Sequence, residues 1–197
     1  MCIRDRPIPL LFDAATTVVP RGKLEVYHKK GESLPDGWAL DENGVVSEDP
    51  NLVLQNIIHK RNGGILPLGG AGELHAGYKG YGFALVCELF TGILSGGLTA
   101  NHISSSGSYA GICHWFCAAD YGMFGEKEVI RKNFSNYLQE LRNSKKAVGQ
   151  TRIFIAGEKE YEAQEHKKAE GIPVNEKTFQ EMYSIAKEFG VNPTAYF

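Results

Sequence analysis

The strongest constraint on this chain is a glycine-rich stretch that holds one lysine and runs straight into an apolar segment. It occupies residues 65–97 and reads ILPLGGAGELHAGYKGYGFALVCELFTGILSGG. Glycine lets backbone N–H groups approach a ligand closely, and the first turn of a helix leaves about four N–H groups unpaired. Lys79 lies at the junction, where it adds a full charge to the helix dipole. The stretch therefore predicts an anion site for phosphate or carboxylate.

Neither of the two common nucleotide-binding loops is present in this stretch. A Walker A loop has lysine directly after glycine, whereas here Tyr78 separates Gly77 from Lys79 and another glycine follows the lysine. The dinucleotide fingerprint fails because a histidine or a leucine stands where its third glycine is needed. A second interpretation is also open, in which Gly77, Gly80 and Gly82 serve only turns and close helix packing.

Composition narrows the class of protein. The chain has 197 residues, 43% of them hydrophobic, which is enough for one sizeable core. The net charge of −2 argues against nucleic acid or an anionic membrane as a partner. The sequence has no uncharged apolar run of the ~18 residues that a membrane span requires. These features predict a protein without a membrane or nucleic-acid partner.

The four cysteines form no C-x-x-C pair, which favours a reducing compartment, and we predict a cytoplasmic location. Cys113, His114 and Cys117 are close in sequence. In the strand predicted there, Cys113 and Cys117 face one side and His114 the other, so the three could not converge on one ion. No metal site is predicted.

The hydrophobic pattern alternates strands with helices, which is typical of an α/β fold. Asp13 is expected to cap a helix that begins near Ala15. The helix after the glycine stretch is apolar nearly all round and is expected to lie in the core. Asn175 is expected to cap the last helix, and Trp38 to pin the long loop over residues 31–64 to the core. The predicted strands cover residues 8–12, 111–119 and 152–156, and the predicted helices cover residues 16–30, 81–94, 125–145, 158–169 and 176–189.

Three blocks of the chain resemble, in order, the type 2 malate/L-lactate dehydrogenase family. They are LLFDAATTVVPRGKLEVYHKKGESLPDGWALDENG, PLGGAGELHAGYKGYGFALVCELFTGILSGG and RIFIAGEKEYEAQEHKKAEGIPV. That family also includes ureidoglycolate and sulfolactate dehydrogenases, diketogulonate reductase and piperideine-carboxylate reductase. The resemblance covers most of residues 8–175. It implies an α/β, non-Rossmann NAD(P)-binding fold, consistent with the failed fingerprint.

The resemblance also implies that the N-terminal part of the family's chain is missing here. Residues 1–6, MCIRDR, join abruptly to a segment that lies well inside the chain in the family, and we interpret them as a sequencing scar or non-native start. Residues 7–197 would then be the C-terminal portion of a single dehydrogenase chain. In it, the cofactor-binding region covers about 7–157 and the terminal helices about 158–197.

The implied activity is NAD(P)-dependent interconversion of a 2-hydroxy acid, such as malate or L-lactate, and its 2-oxo acid. In the family the proton acceptor is a histidine of the N-terminal half, with which none of the six histidines here aligns. We therefore assign no catalytic residue, expect this chain to be inactive alone, and expect a homodimer when it is complete. Two alternatives stay open: an NADPH-dependent imine or keto-sugar-acid reductase of the family, and a non-catalytic anion- or nucleotide-binding module.

The expected cofactor, NAD or NADP, is assigned to three places in the chain. Lys79 would hold the negative or ribose groups of the cofactor. The resemblance aligns residues 13–15 with one cofactor-contacting segment of the family, and residues 153–155 and 157–162 with the second. The predicted cofactor-binding residues are Asp13, Ala14, Ala15, Lys79, Ile153, Phe154, Ile155, Gly157, Glu158, Lys159, Glu160, Tyr161 and Glu162.

Overall fold

The computed structural model describes residues 2–3, 10–103 and 111–192. They combine helices with short strands, as the sequence predicts. The chain forms two compact units, one of Ala14–Ala119 and one of Met1–Asp13 together with Asp120–Phe197. No helix in the described part of the chain is long and apolar enough to cross a membrane.

The unit Ala14–Ala119 has its core between two helices and a two-stranded sheet. The helices are α1, Arg21–Lys30, and α2, Pro50–Ile58. Strand β3, Ala39–Leu40, pairs antiparallel with β4, Gly64–Ile65. Trp38 packs against the core, as predicted, and meets the Tyr27 ring edge-on, 5.2 Å between centroids. The predicted long loop over residues 31–64 is wrong, because β3 and α2 form within it. The buried core residues are Leu24, Leu34, Ala39, Val53 and Leu54.

The first helix is shorter than predicted. It begins at Arg21 because Pro20, at the N-cap, takes an extended backbone conformation with φ −71° and ψ 155°. Residues 12–15 have no regular secondary structure, so the predicted helix cap at Asp13 is wrong. The left-handed Gly31, with φ 72°, ends α1 and donates its N–H to the carbonyl oxygen of His28.

The helix after the glycine stretch, α3, is Gly77–Glu88, and a π-helical turn, Leu89–Ile93, extends it. Its predicted core position is wrong in this chain, because only glycines are buried along it: Gly77, Gly80 and Gly92. A helix that is apolar all round needs neighbours on every side, and the described residues cover only the glycine edge. The large exposed side chains along it are Tyr78, Tyr81, Phe83, Leu85, Val86, Leu89 and Ile93.

The second unit contains three long helices and one two-stranded sheet. Strand β1, Cys2–Ile3, pairs antiparallel with β2, Leu10–Leu11; residues 8–9 of the predicted first strand lie outside the described residues. The helices are α4, Lys127–Asn143, α5, Glu158–Glu170, and α6, Glu176–Glu188. They confirm the three helices predicted in this region.

The predicted strands over residues 111–119 and 152–156 are wrong, since both segments lack regular secondary structure. A strand needs a neighbouring strand to accept and donate its backbone hydrogen bonds, and neither segment has such a ladder among the described residues. Residues 152–156 keep a single backbone bond to β2, from Leu11 N–H to the Ala156 carbonyl oxygen at 3.3 Å.

The predicted cap of the last helix is confirmed: the side-chain oxygen of Asn175 accepts a hydrogen bond from Thr178 N–H at 2.9 Å. We expect Asn175→Ala to lower the free energy of unfolding of this unit by about 1 kcal/mol, the usual value of an N-cap. Urea denaturation followed by circular dichroism measures the change. Asn133→Ala, on the exposed surface inside α4, is the control and should not be destabilising.

Candidate functional site

The two interpretations of the glycine stretch can be compared position by position. A methyl group on Gly77 would overlap the carbonyl oxygen of Gly70, and one on Gly80 would overlap that of Leu68. A methyl group on Gly82 would have no atom within 4 Å. Gly77 and Gly80 therefore serve close packing of the preceding loop on α3, as the second interpretation expects, whereas Gly82 does not.

Lys79 lies on the exposed side of the first turn of α3. Its backbone N–H donates to the carbonyl oxygen of Ala76 at 3.0 Å, which closes the turn after the left-handed Ala76. Its ammonium lies 6.0 Å from the centroid of the Tyr78 ring. Because no carboxylate of the described residues pairs with it, Lys79 is available to an anionic ligand, and its role as a cofactor ligand stays a prediction.

A cavity of about 410 Å³ in the second unit brings together two of the predicted cofactor segments. They are far apart in sequence, around Asp13 and around residues 154–160. The backbone bond between Leu11 and Ala156 joins them, and the left-handed Gly157, with φ 94°, lets the chain turn directly against Leu11. The cavity is lined by Leu11, Phe12, Asp13, Phe154, Ile155, Ala156, Gly157, Lys159 and Glu160.

The cavity offers an aromatic ring and charges of both signs. The Phe154 ring has the Arg152 guanidinium carbon 4.5 Å from its centroid and the Lys159 ammonium 4.8 Å from it. Such cation–π contacts hold the two cations beside the ring. Asp13 and Glu160 supply carboxylates that can accept hydrogen bonds from hydroxyl groups. The lining can thus bind a ligand that combines a planar group, an anionic group and hydroxyls.

Glu158, the first residue of α5, is 7% exposed and forms the most buried charged cluster of this unit among the described residues. Its carboxylate accepts from Arg142 Nε at 2.9 Å, from Arg152 Nη2 at 3.3 Å and from the N–H of Ile155 at 3.0 Å. Burial alone would raise the pKa of the Glu158 carboxyl, but the Ile155 hydrogen bond and the two guanidinium groups together hold that pKa below its ordinary value.

The structure places the thirteen predicted cofactor residues in four groups. Six line the cavity; Glu158 and Glu162 instead face arginines, Glu162 accepting from Arg152 Nη1 at 2.6 Å. Ile153 is half-buried and Tyr161 exposed beside the cavity-lining segment. Ala14, Ala15 and Lys79 belong to the unit Ala14–Ala119. The six cavity residues are Asp13, Phe154, Ile155, Gly157, Lys159 and Glu160.

Sequence reasoning missed the two arginines. Arg142 lies on α4, sixteen residues before Glu158, and its helical pattern marks it as an ordinary surface position. Arg152 directly precedes the predicted segment, which is the one signal that could have indicated it. Among the described residues no cluster of His, Cys, Asp or Glu could hold a metal ion, and His114 instead stacks near Phe116 with 6.1 Å between ring centroids.

The sequence and the structure of this chain match the same group of known proteins. The sequence pattern of the malate/L-lactate dehydrogenase family matches residues 3–183. Malate dehydrogenase of Pyrococcus abyssi is 39% identical over 184 residues, which are 93% of this chain and 49% of that protein. Ureidoglycolate dehydrogenase (NAD(+)) of Escherichia coli K12 is 30% identical over 90% of this chain and 47% of its own.

The solved structure of malate dehydrogenase from Entamoeba histolytica superposes with a TM-score of 0.86 at 31% identity. That match covers 95% of this chain and 53% of the other. The chain thus spans about half the length of the relatives that it matches.

Proposed function

Because this chain belongs to the malate/L-lactate dehydrogenase family, we propose that the protein is an NAD(P)-dependent oxidoreductase that interconverts a 2-hydroxy acid and its 2-oxo acid. The observation that carries the proposal is the family match over residues 3–183. The names of the relatives fit it, because malate and ureidoglycolate are both 2-hydroxy acids. The functional form is a cytoplasmic homodimer with neither a nucleic-acid nor a membrane partner.

The 410 Å³ cavity is the proposed cofactor site of the second unit. Its volume lies in the range of ligand pockets and suits part of a dinucleotide. The Lys159 ammonium would bind a phosphate, Asp13 would accept a hydrogen bond from a ribose hydroxyl, and the Phe154 ring would pack on a planar group. These residues bind and orient, whereas the nicotinamide supplies the hydride chemistry when it is bound.

Lys79 is the proposed cofactor ligand in the unit Ala14–Ala119. Its charge is not paired with a carboxylate of the described residues, so a phosphate would gain a charge-assisted bond without breaking an ion pair. The left-handed Ala76 and the buried Gly77 and Gly80 fix the turn that presents it. The glycines position this lysine through packing, rather than by opening the loop to the ligand.

The proposal is tested by titrating the protein expressed from its full reading frame with NADH and with NADPH, following nucleotide fluorescence. Oxidation of malate, L-lactate, sulfolactate and ureidoglycolate is then assayed, along with reduction of a cyclic imine carboxylate. Binding followed by turnover of a 2-hydroxy acid is the expected result. Reduction of the imine with NADPH alone would favour the reductase, and binding of neither nucleotide would defeat the oxidoreductase proposal and leave the anion-binding module.

We expect Lys79→Ala to weaken cofactor binding by about 1.5–3 kcal/mol, the value of a hydrogen bond to a charged group. That energy corresponds to a rise of roughly 10–150-fold in Kd. Lys132→Ala on the exposed surface of α4 is the matched control, because it removes the same charge away from the proposed site. An unchanged Kd in Lys79→Ala would remove Lys79 from the site.

A further inference from the structure

We infer that Glu158 is a positioning residue of the proposed cofactor cavity. It holds residues 154–157 in place and does not itself contact the cofactor. This inference rests on the proposed function of that cavity. It also assigns roles to Arg142 and Arg152, which hold the Glu158 carboxylate from α4 and from the segment before α5.

The cavity-lining segment needs an anchor because it has no regular secondary structure. On one side, its backbone bonds to β2 only between Leu11 and Ala156. On the other side, Glu158 makes two reciprocal bonds to Ile155: the Glu158 N–H donates to the Ile155 carbonyl oxygen at 3.0 Å, and the Glu158 carboxylate accepts from the Ile155 N–H at 3.0 Å. The second bond fixes the peptide that joins Phe154 to Ile155, and both residues line the cavity.

The Glu158 carboxylate has no capacity left for a ligand. Oε1 accepts from Nε and Nη2 of Arg142, at 2.9 and 2.5 Å, and Oε2 accepts from Arg152 Nη2 and the Ile155 N–H. Two carboxylate oxygens offer about four lone-pair sites, and all four are used. A ribose hydroxyl would have to displace one of these charge-assisted or buried bonds, so the contribution of Glu158 to binding is made through the backbone that it holds.

The position of Arg152 links this cluster to the Phe154 ring. Its guanidinium bonds to Glu158 and Glu162 while its carbon lies 4.5 Å from the Phe154 ring centroid. The carboxylates of Glu158 and Glu162 on α5 thus orient the Arg152 guanidinium, and this cation packs on the Phe154 ring of the cavity. Loss of the Glu158 carboxylate would free the Ile155 peptide and would leave Arg152 held by Glu162 alone, so the cavity lining would lose its inner support.

The test compares three variants: Glu158→Ala, Glu158→Gln and the matched control Glu165→Gln. Glu165 lies on the same helix and pairs with Lys168 on the surface, so its substitution makes the same charge change away from the cavity. For each variant, cofactor Kd, cofactor KM and kcat at saturating cofactor are measured in the protein from its full reading frame. Amide hydrogen exchange over residues 152–157 reports the mobility of the segment.

We expect Glu158→Ala to raise the cofactor Kd and KM about tenfold or more, because small displacements of binding groups are costly, while kcat stays near the wild-type value. Glu158→Gln should recover part of the affinity, since its amide oxygen can still accept from Ile155 N–H. Exchange over residues 152–157 should be faster in both variants, and Glu165→Gln should match the wild type. If Glu158 had only a structural role, its substitution would lower stability but would not raise the cofactor KM while leaving kcat unchanged.

Three results would overturn the inference. Cofactor Kd within about twofold of wild type in both Glu158 variants would show that the anchor is not needed for binding, and the proposed function would stand. A fall of kcat with unchanged KM would make Glu158 a catalytic residue instead. Wild-type protein that binds neither nucleotide would reject the proposed function itself. If Glu158→Ala does not fold, Glu158→Gln and its exchange pattern decide between the same outcomes.

Discussion

Replacing Glu158 by alanine is expected to lower the free energy of unfolding of its unit by about 1–3 kcal/mol, the loss seen when a buried hydrogen-bond partner is removed. The Glu158 side chain is 10% exposed, and its carboxylate compensates two guanidinium groups. Arg142 Nη1 is already buried without a hydrogen-bond partner among the described residues, so the variant would leave Arg142 with still fewer acceptors. Urea denaturation at neutral pH, followed by circular dichroism, measures the loss.

Glu165→Ala is the control for this measurement, because its ion pair with Lys168 is exposed and such pairs contribute little to stability. Since the chain has two compact units, the unfolding curve should be fitted for two transitions where two are seen. A loss below about 1 kcal/mol in Glu158→Ala would contradict the buried network.

The Glu158 carboxylate should also make the free energy of unfolding depend on pH. Its pKa in the folded protein lies below the ordinary value of 4.5, so the folded state holds the charged form more strongly than the unfolded chain does. The stabilisation is therefore complete above the unfolded pKa and is lost as the pH falls through the folded pKa. The difference in unfolding free energy between wild type and Glu158→Ala should stay constant from about pH 7 to about pH 5 and shrink at lower pH.

Alanine at two neighbouring glycines of α3 is expected to change stability in opposite directions. Gly80→Ala should lower the free energy of unfolding of the unit Ala14–Ala119 by about 3 kcal/mol, because the new methyl group would overlap backbone atoms of Leu68 that cannot move aside like a side chain. Gly82→Ala should raise it by about 0.5–1 kcal/mol, because alanine is the better helix former and its methyl group meets no atom within 4 Å.

Thermal unfolding of the two variants decides the prediction, and cofactor titration adds a second readout. Since Lys79 directly precedes Gly80, a displaced loop should also raise the cofactor Kd in Gly80→Ala, while Gly82→Ala should bind as the wild type does. Equal effects of the two substitutions would show that the loop does not pack on α3 as described.

Much of the helical structure could be predicted from sequence, because a helix satisfies its own backbone and reveals itself by local periodicity. Helices α4, α5 and α6 lie close to their predicted positions, and Asn175 caps α6 as expected. Two local signals were missed: Pro20 places the start of α1 at Arg21, and Asp49 and Pro50 begin α2 inside the predicted long loop. The resemblance to the family, carried by three separated blocks, rested on sequence alone as well.

The remaining features depend on partners that are remote in sequence. Residues 111–119 have the composition of a strand, but a strand forms only where another strand pairs with it. The candidate site likewise required the fold to bring Asp13 to residues 154–160, and to bring Arg142 to Glu158.

The glycines of α3 show, within one helix, the same difference between what the local sequence sets and what remote parts of the chain set. The sequence by itself determined that a glycine-rich stretch with one lysine leads into a helix, which was predicted from residue 81 and begins at Gly77. Only the tertiary structure decided that Gly80 lies against the Leu68 backbone while Gly82 has free space beside it. The physical reason is that helical and capping preferences act over about four residues, whereas packing and buried charge pairing depend on where the whole chain passes.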